Sequence, residues 1–453
     1  MADQPHKLSV IEKVGYGLGD TASNFFWQTF MLFIVFFYTD VFGIAAAAVG
    51  TMMLATRVGD TFIDPIVGII ADRTKSRWGR FRPYLLWLAV PMGVVAVLTF
   101  TTPSLSPAGK LVYAYVTLSL MMLAYSAINI PYSALMGVMT PSSLERTSLS
   151  SYRFVLAFVA AFVVQWATLP IVKLFGGGKE TSPFGWQMAM IIFSIAAAIL
   201  FFVTFATTKE RVQAPAEAGT SLKNDLKDLG KNKPWMVLFL VGIFALNYAS
   251  IRNGAAIFYF KYFVGNSDLF GPIMMSSTLG FIAGVMVTRW ATGIWGKRNF
   301  YMGAMAVTSL LTILFYFIPK DQIAVIWIAQ VVINFVSAPT APLVWAMYAD
   351  TADYSEWKTG RRATGLVFSA ASFAQKLGWA VGGALTGWLL AYFGFVANQA
   401  QTEGAQHGIV LMMSIIPAVG SILAMAALWL YPLTEPMMKQ IEQDLTARRV
   451  ASS

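Results

Sequence analysis

The chain has 453 residues, of which 57% are apolar, 12% are charged and none is cysteine. So few charges cannot clothe a soluble protein of this size, and the lack of thiols excludes disulfides, thiolate catalysis and thiolate metal sites. The net charge of +10 comes without a basic stripe interleaved with exposed aromatics, so nucleic-acid binding is not expected; an excess of Lys and Arg on cytoplasmic loops accounts for it.

A membrane span takes roughly 20 apolar residues, and the chain reads as twelve of them. Met1 to Lys13 is polar and leads directly into the first span, so no cleavable signal is expected. The first two spans are read at 23–42 and 45–71. A basic loop from Asp72 to Arg82 follows, and Pro83 opens the third, as proline suits a first helical turn. Spans four to six are read near 110–138, 152–173 and 185–206. The polar stretch 207–233, with Pro215, Gly219 and Gly230, reads as a linker. Six more spans are read near 235–263, 270–293, 299–318, 322–348, 364–393 and 408–432, followed by a polar helical tail. The expected organisation is an N-terminal six-helix bundle over 1–206, a cytoplasmic middle loop over 207–233, a second bundle over 234–432 and a cytoplasmic tail over 433–453. On these boundaries about 24 of the 32 Lys and Arg fall on the side that holds both termini, which makes that side cytoplasmic. Trp78-Gly79-Arg80 after the second span is echoed by Trp295-Gly296-Lys297 after the eighth.

The second span contains Arg57, Asp60 and Asp64 at i, i+3 and i+7, on one helix face. Each charge at mid-span costs roughly 2.5–3.5 kcal/mol against lipid, or about 8–10 kcal/mol for three. They must face an aqueous cavity or one another. Arg57 balances one of the two carboxylates, and the other invites a proton or a hard, oxygen-seeking cation such as Na⁺. The blander reading is a fixed Arg–Asp pair with a helix-capping Asp next to Pro65. Lys376, deep in the eleventh span, calls for a carboxylate or a wet cavity rather than snorkelling to the surface. Arg153 opens the fifth span as a cavity charge or an interfacial anchor. Arg252 in the seventh span is a cavity charge or half of a structural pair with an acid.

Polar and aromatic residues sit at similar depth: Asn24, Trp27 and Gln28 in the first span, Tyr125, Asn129 and Tyr132 in the fourth, Asn247 and Tyr248 in the seventh. Such side chains hydrogen-bond sugar hydroxyls and lay a ring under a sugar's apolar face, although they also glue membrane helices together. Gly176-Gly177-Gly178-Lys179 lacks the spacing of a phosphate loop. Gly15, Gly17 and Gly19 precede a span with no strand before them, so they read as a tightly packed helix entry rather than a dinucleotide fingerprint. His6 and His407 lack partners at metal-ligand spacing. No enzyme, organic cofactor or metal other than Na⁺ is expected.

Longer motifs carry a resemblance. Glu12 to Asp20, Phe37-Tyr38-Thr39-Asp40, Asp64-Pro65 leading to Ser76-Arg77-Trp78-Gly79-Arg80-Phe81-Arg82-Pro83, and Ala349 to Glu356 resemble, in order and over nearly the whole chain, the glycoside–pentoside–hexuronide:cation symporters. That family, typified by the melibiose permease, belongs to the major facilitator superfamily, whose fold is two six-helix bundles built as parallel repeats with substrate bound between them at mid-membrane. The resemblance implies that Asp60 and Asp64 hold the cation, with the Ser126 hydroxyl nearby, and that Arg57 balances them. It implies that Arg153, Ser372 and Lys376 belong to the sugar and cation pocket. Two aspartates that grip the sugar in the melibiose permease are matched here by Asn24 and Asn129, and a fourth-span tryptophan by Ser133. A xyloside, a β-glucoside, another small glycoside or a hexuronide is therefore expected in place of melibiose.

The function expected is symport of a small glycoside with Na⁺ or H⁺ across the inner membrane by alternating access, performed by a monomer surrounded by lipid. Asp350, Asp353 and Glu356, near Lys358, Arg361 and Arg362, are expected to form ion pairs of a cytoplasmic gate. The alternative cargo is a lysolipid or another amphipathic solute.

Overall fold

The structure, a computed structural model, describes residues 7–140, 142–212, 230, 232–360 and 364–452. Every regular element among them is helical. In chain order these are α1 (Val10–Phe36), α2 (Ala46–Arg73), α3 (Arg82–Trp87), α4 (Ala89–Thr99), α5 (Pro107–Met139), α6 (Ser143–Phe175) and α7 (Pro183–Thr207), then α8 (Lys233–Phe258), α9 (Phe270–Trp295), α10 (Lys297–Leu314), α11 (Ile323–Ser337), α12 (Thr340–Thr359), α13 (Thr364–Tyr392), α14 (Glu403–Met413), α15 (Ile415–Trp429) and α16 (Glu435–Ser452). The chain divides into two compact units. One comprises Met1–Glu217, Phe270–Met275 and Phe395–Ala400; the other comprises Ala218–Leu269, Ser276–Gly394 and Gln401–Ser453.

Local chemistry sets the helix starts. Ser9 and Glu12 close a reciprocal capping box at α1. Ser106, Ser182 and Asn232 each cap a helix whose first or second residue is proline. At their far ends α1 and α8 both pass into a π-helical turn, Phe37–Val41 and Tyr259–Val264.

Nine helical stretches among the described residues are long and apolar enough to cross a membrane. Three of the twelve expected spans are not among them, each for a physical reason. α2 carries the Arg57, Asp60 and Asp64 charges. The third span is broken at Leu88, giving the short helices α3 and α4. The apolarity of α13 is diluted by Gln375, Lys376 and several glycines.

In the first unit α1 is the central helix, packed on α6 and α7, while α2 packs on α5. Its glycines act as the tight entry expected of them. An added methyl at Gly17 would fall 2.6 Å from Leu156 of α6, and one at Gly19 would fall 2.5 Å from the Tyr132 ring of α5. In the second unit α8 is central, packed on α13 and α15. Its core joins Trp235, Leu238, Tyr301, Met347 and Tyr348, and the Tyr348 hydroxyl donates to the Leu238 carbonyl at 2.9 Å.

The Trp-Gly-basic echo is a repeated structure. Gly79 has φ +109° and Gly296 φ +74°, a backbone that favours glycine. Behind each lies a glutamate from beyond the last span of the same unit. Glu210 accepts the backbone N–H groups of Arg80, Phe81 and Arg82 at 2.8, 2.7 and 2.9 Å, at the start of α3. Glu435 accepts that of Lys297 at 2.9 Å, at the start of α10. A carboxylate is well placed at a helix N-terminus, where the N–H groups have no partner in the helix.

At the same end of α1, Lys13 pairs with Glu145 at 2.9 Å, and Glu145 also accepts the Leu8 N–H at 3.1 Å. The hydrogen bond from Lys13 holds the Glu145 carboxyl below its ordinary value of 4.5. A carboxyl whose folded value is depressed stabilises the fold above its unfolded value, and that contribution is lost as the pH falls through the folded one. The melting temperature of the purified chain is therefore expected to drop as the pH is lowered through and below 4.5. Glu145→Gln should lower it at neutral pH and flatten that acid limb, read as melting temperature against pH for both proteins; an equal acid limb in the variant assigns the drop to other groups.

Candidate functional site

The first unit gathers the deep polar side chains of four helices onto one continuous constellation. α1 presents Asp20, Asn24 and Trp27, spaced i, i+4 and i+7; α2 presents Arg57, Asp60 and Asp64; α5 presents Tyr125, Ser126, Asn129 and Tyr132; α6 presents Arg153.

At its centre the indole of Trp27 stacks on Tyr125, with centroids 5.5 Å apart. The Arg57 guanidinium is only 3% exposed. It lies over the Trp27 ring at 4.8 Å and over the Phe30 ring at 4.6 Å, so π faces take part in answering its charge. One turn along α2, Asp60 is buried and its Oδ1 accepts a hydrogen bond from Ser126 Oγ at 2.8 Å. Asp64, half-buried, follows one further turn along the same helix. Ser126 thus stands beside the acid.

A second cluster adjoins it. Arg153 Nη2 reaches Asp20 Oδ1 at 3.3 Å, with side chains 27% and 12% exposed. The same guanidinium lies 5.2 Å from the centre of the Tyr132 ring. Tyr132 stacks on Tyr16 at 4.8 Å, and each tyrosine hydroxyl donates to the other's backbone carbonyl, at 2.7 and 3.3 Å. Asn24 donates to the Asp20 carbonyl at 2.9 Å and Asn129 to that of Tyr125 at 3.0 Å. Gln28 is half-buried one turn beyond Asn24.

Asp20 is the residue that the sequence reading missed. Its signal was present: a carboxylate four residues before Asn24 on the same helix face. It sat among the glycines of the helix entry and was absorbed into that motif. In the structure Asp20 makes Arg153 half of an ion pair.

In the second unit Lys376 is half-buried on α13, and Ser372 is exposed one turn before it. Arg252, expected to be a cavity charge or half of a pair with an acid, is buried among neutral partners in the described residues. Its guanidinium donates to the Met413 carbonyl at 2.7 Å and to the Gln330 amide oxygen, and it packs over Tyr248 and Phe315. Among the described residues, an amide and a carbonyl answer this charge. Tyr248 hydrogen-bonds Thr312 at 3.2 Å inside the same unit. Of the expected gate, Asp350 pairs with Lys297 at 2.7 Å, joining α12 to the start of α10. Asp353 and Glu356 lie further along α12, and Lys358 donates to the Tyr354 hydroxyl at 3.2 Å. Arg361 and Arg362 lie outside the described residues.

Truncating Asp20 leaves Arg153 without its carboxylate. Asp20→Ala is expected to cost about 2 kcal/mol of stability, the typical value of a charged hydrogen bond. Combined with Arg153→Met, the second change should cost much less than it does alone. Chemical denaturation of the four proteins of this cycle measures the coupling, and additive losses would place the two side chains out of contact.

A family model and sequence relatives identify the family, and a solved structure matches the fold. The family described as MFS/sugar transport protein matches residues 15–435. The chain is 38% identical over 440 residues to the inner membrane symporter YicJ of Escherichia coli, covering 97% of this chain and 95% of that one. It is 37% identical over 446 residues to the putative glycoside/cation symporter YagG of the same organism, covering 98% and 96%. It is 36% identical over 437 residues to the isoprimeverose transporter of Lactiplantibacillus pentosus, covering 95% and 91%. In fold it is similar to the crystal structure of a bacterial homologue of the human lysosomal transporter Spinster, with a TM-score of 0.67 at 12% identity over 94% of this chain and 98% of that one. The family and the relatives are transporters, not enzymes, and the chain belongs to the MFS/sugar transport protein family.

Proposed function

We propose that this protein is a twelve-helix symporter of the cytoplasmic membrane, with both termini cytoplasmic, that carries a small glycoside together with Na⁺ or H⁺ by alternating access. The three spans beyond the nine most apolar ones are α2, α3 with α4, and α13. The names of YagG, a putative glycoside/cation symporter, and of the isoprimeverose transporter support the cargo class. The observation that carries the reading is the Asp60–Ser126 hydrogen bond beside the ring-held Arg57, with Asp64 one turn away.

In this reading two carboxylates one turn apart repel unless a cation joins them. Asp60, Asp64 and the Ser126 hydroxyl supply the oxygens that Na⁺ prefers, and the same carboxylates are competent to take a proton. The ring stack of Trp27 and Tyr125 offers a face to a sugar, while Asn24, Gln28, Asn129 and Arg153 offer donors and acceptors to its hydroxyls. Tyr132 holds the Arg153 side of that surface. The family resemblance adds Ser372 and Lys376 of the second unit to the substrate-binding residues of the proposal, with Lys376 also as a charge-balancing residue. Coupling follows from linkage: a cation that raises the affinity for the sugar has its own affinity raised by the same factor.

Uptake of a radiolabelled glycoside panel into proteoliposomes, under an imposed Na⁺ or H⁺ gradient, tests this. Wild type should accumulate at least one glycoside under one of the gradients. Asp64→Asn should lower that accumulation by at least about tenfold, the effect of losing roughly 1.4 kcal/mol of coupling. Accumulation that survives the substitution would remove Asp64 from the cation site.

A further inference from the structure

The second unit carries an amphipathic recess away from the deep charges. Its polar part is a cavity of about 450 Å³ between the α9–α10 turn and the start of α16, lined among others by Thr292, Trp295, Arg298, Asn299, Glu435 and Lys439. Its apolar part is a groove of about 490 Å³ along α10, lined by Val287, Phe300, Gly303, Val307 and Phe335. Trp295 and Asn299 line both, so the two adjoin.

The chemistry of each part is specific. Lys297 is committed to Asp350, and its N–H to Glu435. Arg298 donates to the Trp429 carbonyl at 2.6 Å, while its buried Nε has no hydrogen-bond partner among the described residues. Arg298 and Lys439 against the Glu435 carboxylate leave the lining with one positive charge, the complement of a singly charged phosphodiester. Around it the tryptophans Trp290, Trp295 and Trp429 are 65%, 52% and 73% exposed, as aromatic residues are at the headgroup level of a bilayer. From Asn299 to Val307 the groove runs about 12 Å along the helix at 1.5 Å per residue, the length of much of an acyl chain. Val307 and Phe335 are 45% and 38% exposed along it.

We infer that this recess is a binding site for an anionic glycerophospholipid, with its phosphodiester between Arg298 and Lys439 and one acyl chain in the groove along α10. The lipid is a stabilising ligand of the second unit, distinct from any transported solute. Basic pockets at the cytoplasmic ends of membrane helices hold anionic headgroups by the same physics.

The test uses the full-length chain, purified and delipidated in detergent, with bound lipid counted by native mass spectrometry and stability read by thermal unfolding. Phosphatidylglycerol, phosphatidylcholine and inorganic phosphate are compared. Phosphatidylglycerol should bind more tightly than the other two and raise the melting temperature. Lys439→Gln, at an exposed side chain, should weaken phosphatidylglycerol by about fivefold and leave phosphatidylcholine unchanged. Gly303→Leu should fill the groove, since no atom lies within 4 Å of an added Cβ, and reduce phosphatidylglycerol binding by about tenfold or more. Equal binding of the two lipids by wild type overturns the headgroup assignment without any variant. Inorganic phosphate binding as tightly as phosphatidylglycerol, with Gly303→Leu silent, would mean a free-anion site and overturn the lipid.

Discussion

A charge inside a bilayer must be answered by protein or water, and in the first unit almost every feature follows from how that demand is met. Arg153 is answered by Asp20 and by the face of Tyr132. Part of the answer to Arg57 comes from two aromatic faces. Asp60 takes the Ser126 hydroxyl. The contacts of Arg153 and Arg57 both reach α1, which lies very close to its neighbours. The glycines that let Leu156 and Tyr132 approach its backbone lie beside Asp20, which pairs with Arg153. Close packing and charge neutralisation are therefore one problem, solved by the same few residues of α1.

Arg57, Asp60 and Asp64 were legible in the sequence because the cost of a charge in lipid is large and their spacing gives one helix face. The polar and aromatic residues of α1 and α5 were legible by depth alone, and the structure brings Trp27 to Tyr125 and Ser126 to Asp60. Asp20 was not legible in that way: its partner lies 133 residues away, a pairing that local spacing does not encode. Arg252 shows the same limit from the other direction. Its neutral partners, Gln330 and the Met413 carbonyl, have no charge signature to look for. The helix that carries Arg57, Asp60 and Asp64 is read as a span in the sequence yet falls outside the nine most apolar stretches, since those charges lower its apolarity.

The two units share devices that sequence shows only faintly. Each central helix, α1 and α8, ends in a π turn. Such turns widen a helix locally and recur where a helix has to deform or present a side chain. Each unit also has a left-handed glycine after its second span, backed by a glutamate from beyond its last. The surviving three-residue echo marks the backbone requirement, which only glycine meets easily, while the glutamates sit far away in sequence.

The Glu210 contact has a mechanical side. The chain leaving α7 does not go straight into the segment between the units; it is first tied by three short hydrogen bonds to the backbone at the start of α3. A pull on that segment is thus shared among α7, α3 and the end of α2 instead of peeling α7 from its bundle. Because the bonds run to backbone N–H groups, the tie does not depend on which side chains occupy the loop. The tie runs from the chain beyond α7 back to the start of α3, so the first unit is closed on itself and can transmit a load without coming undone.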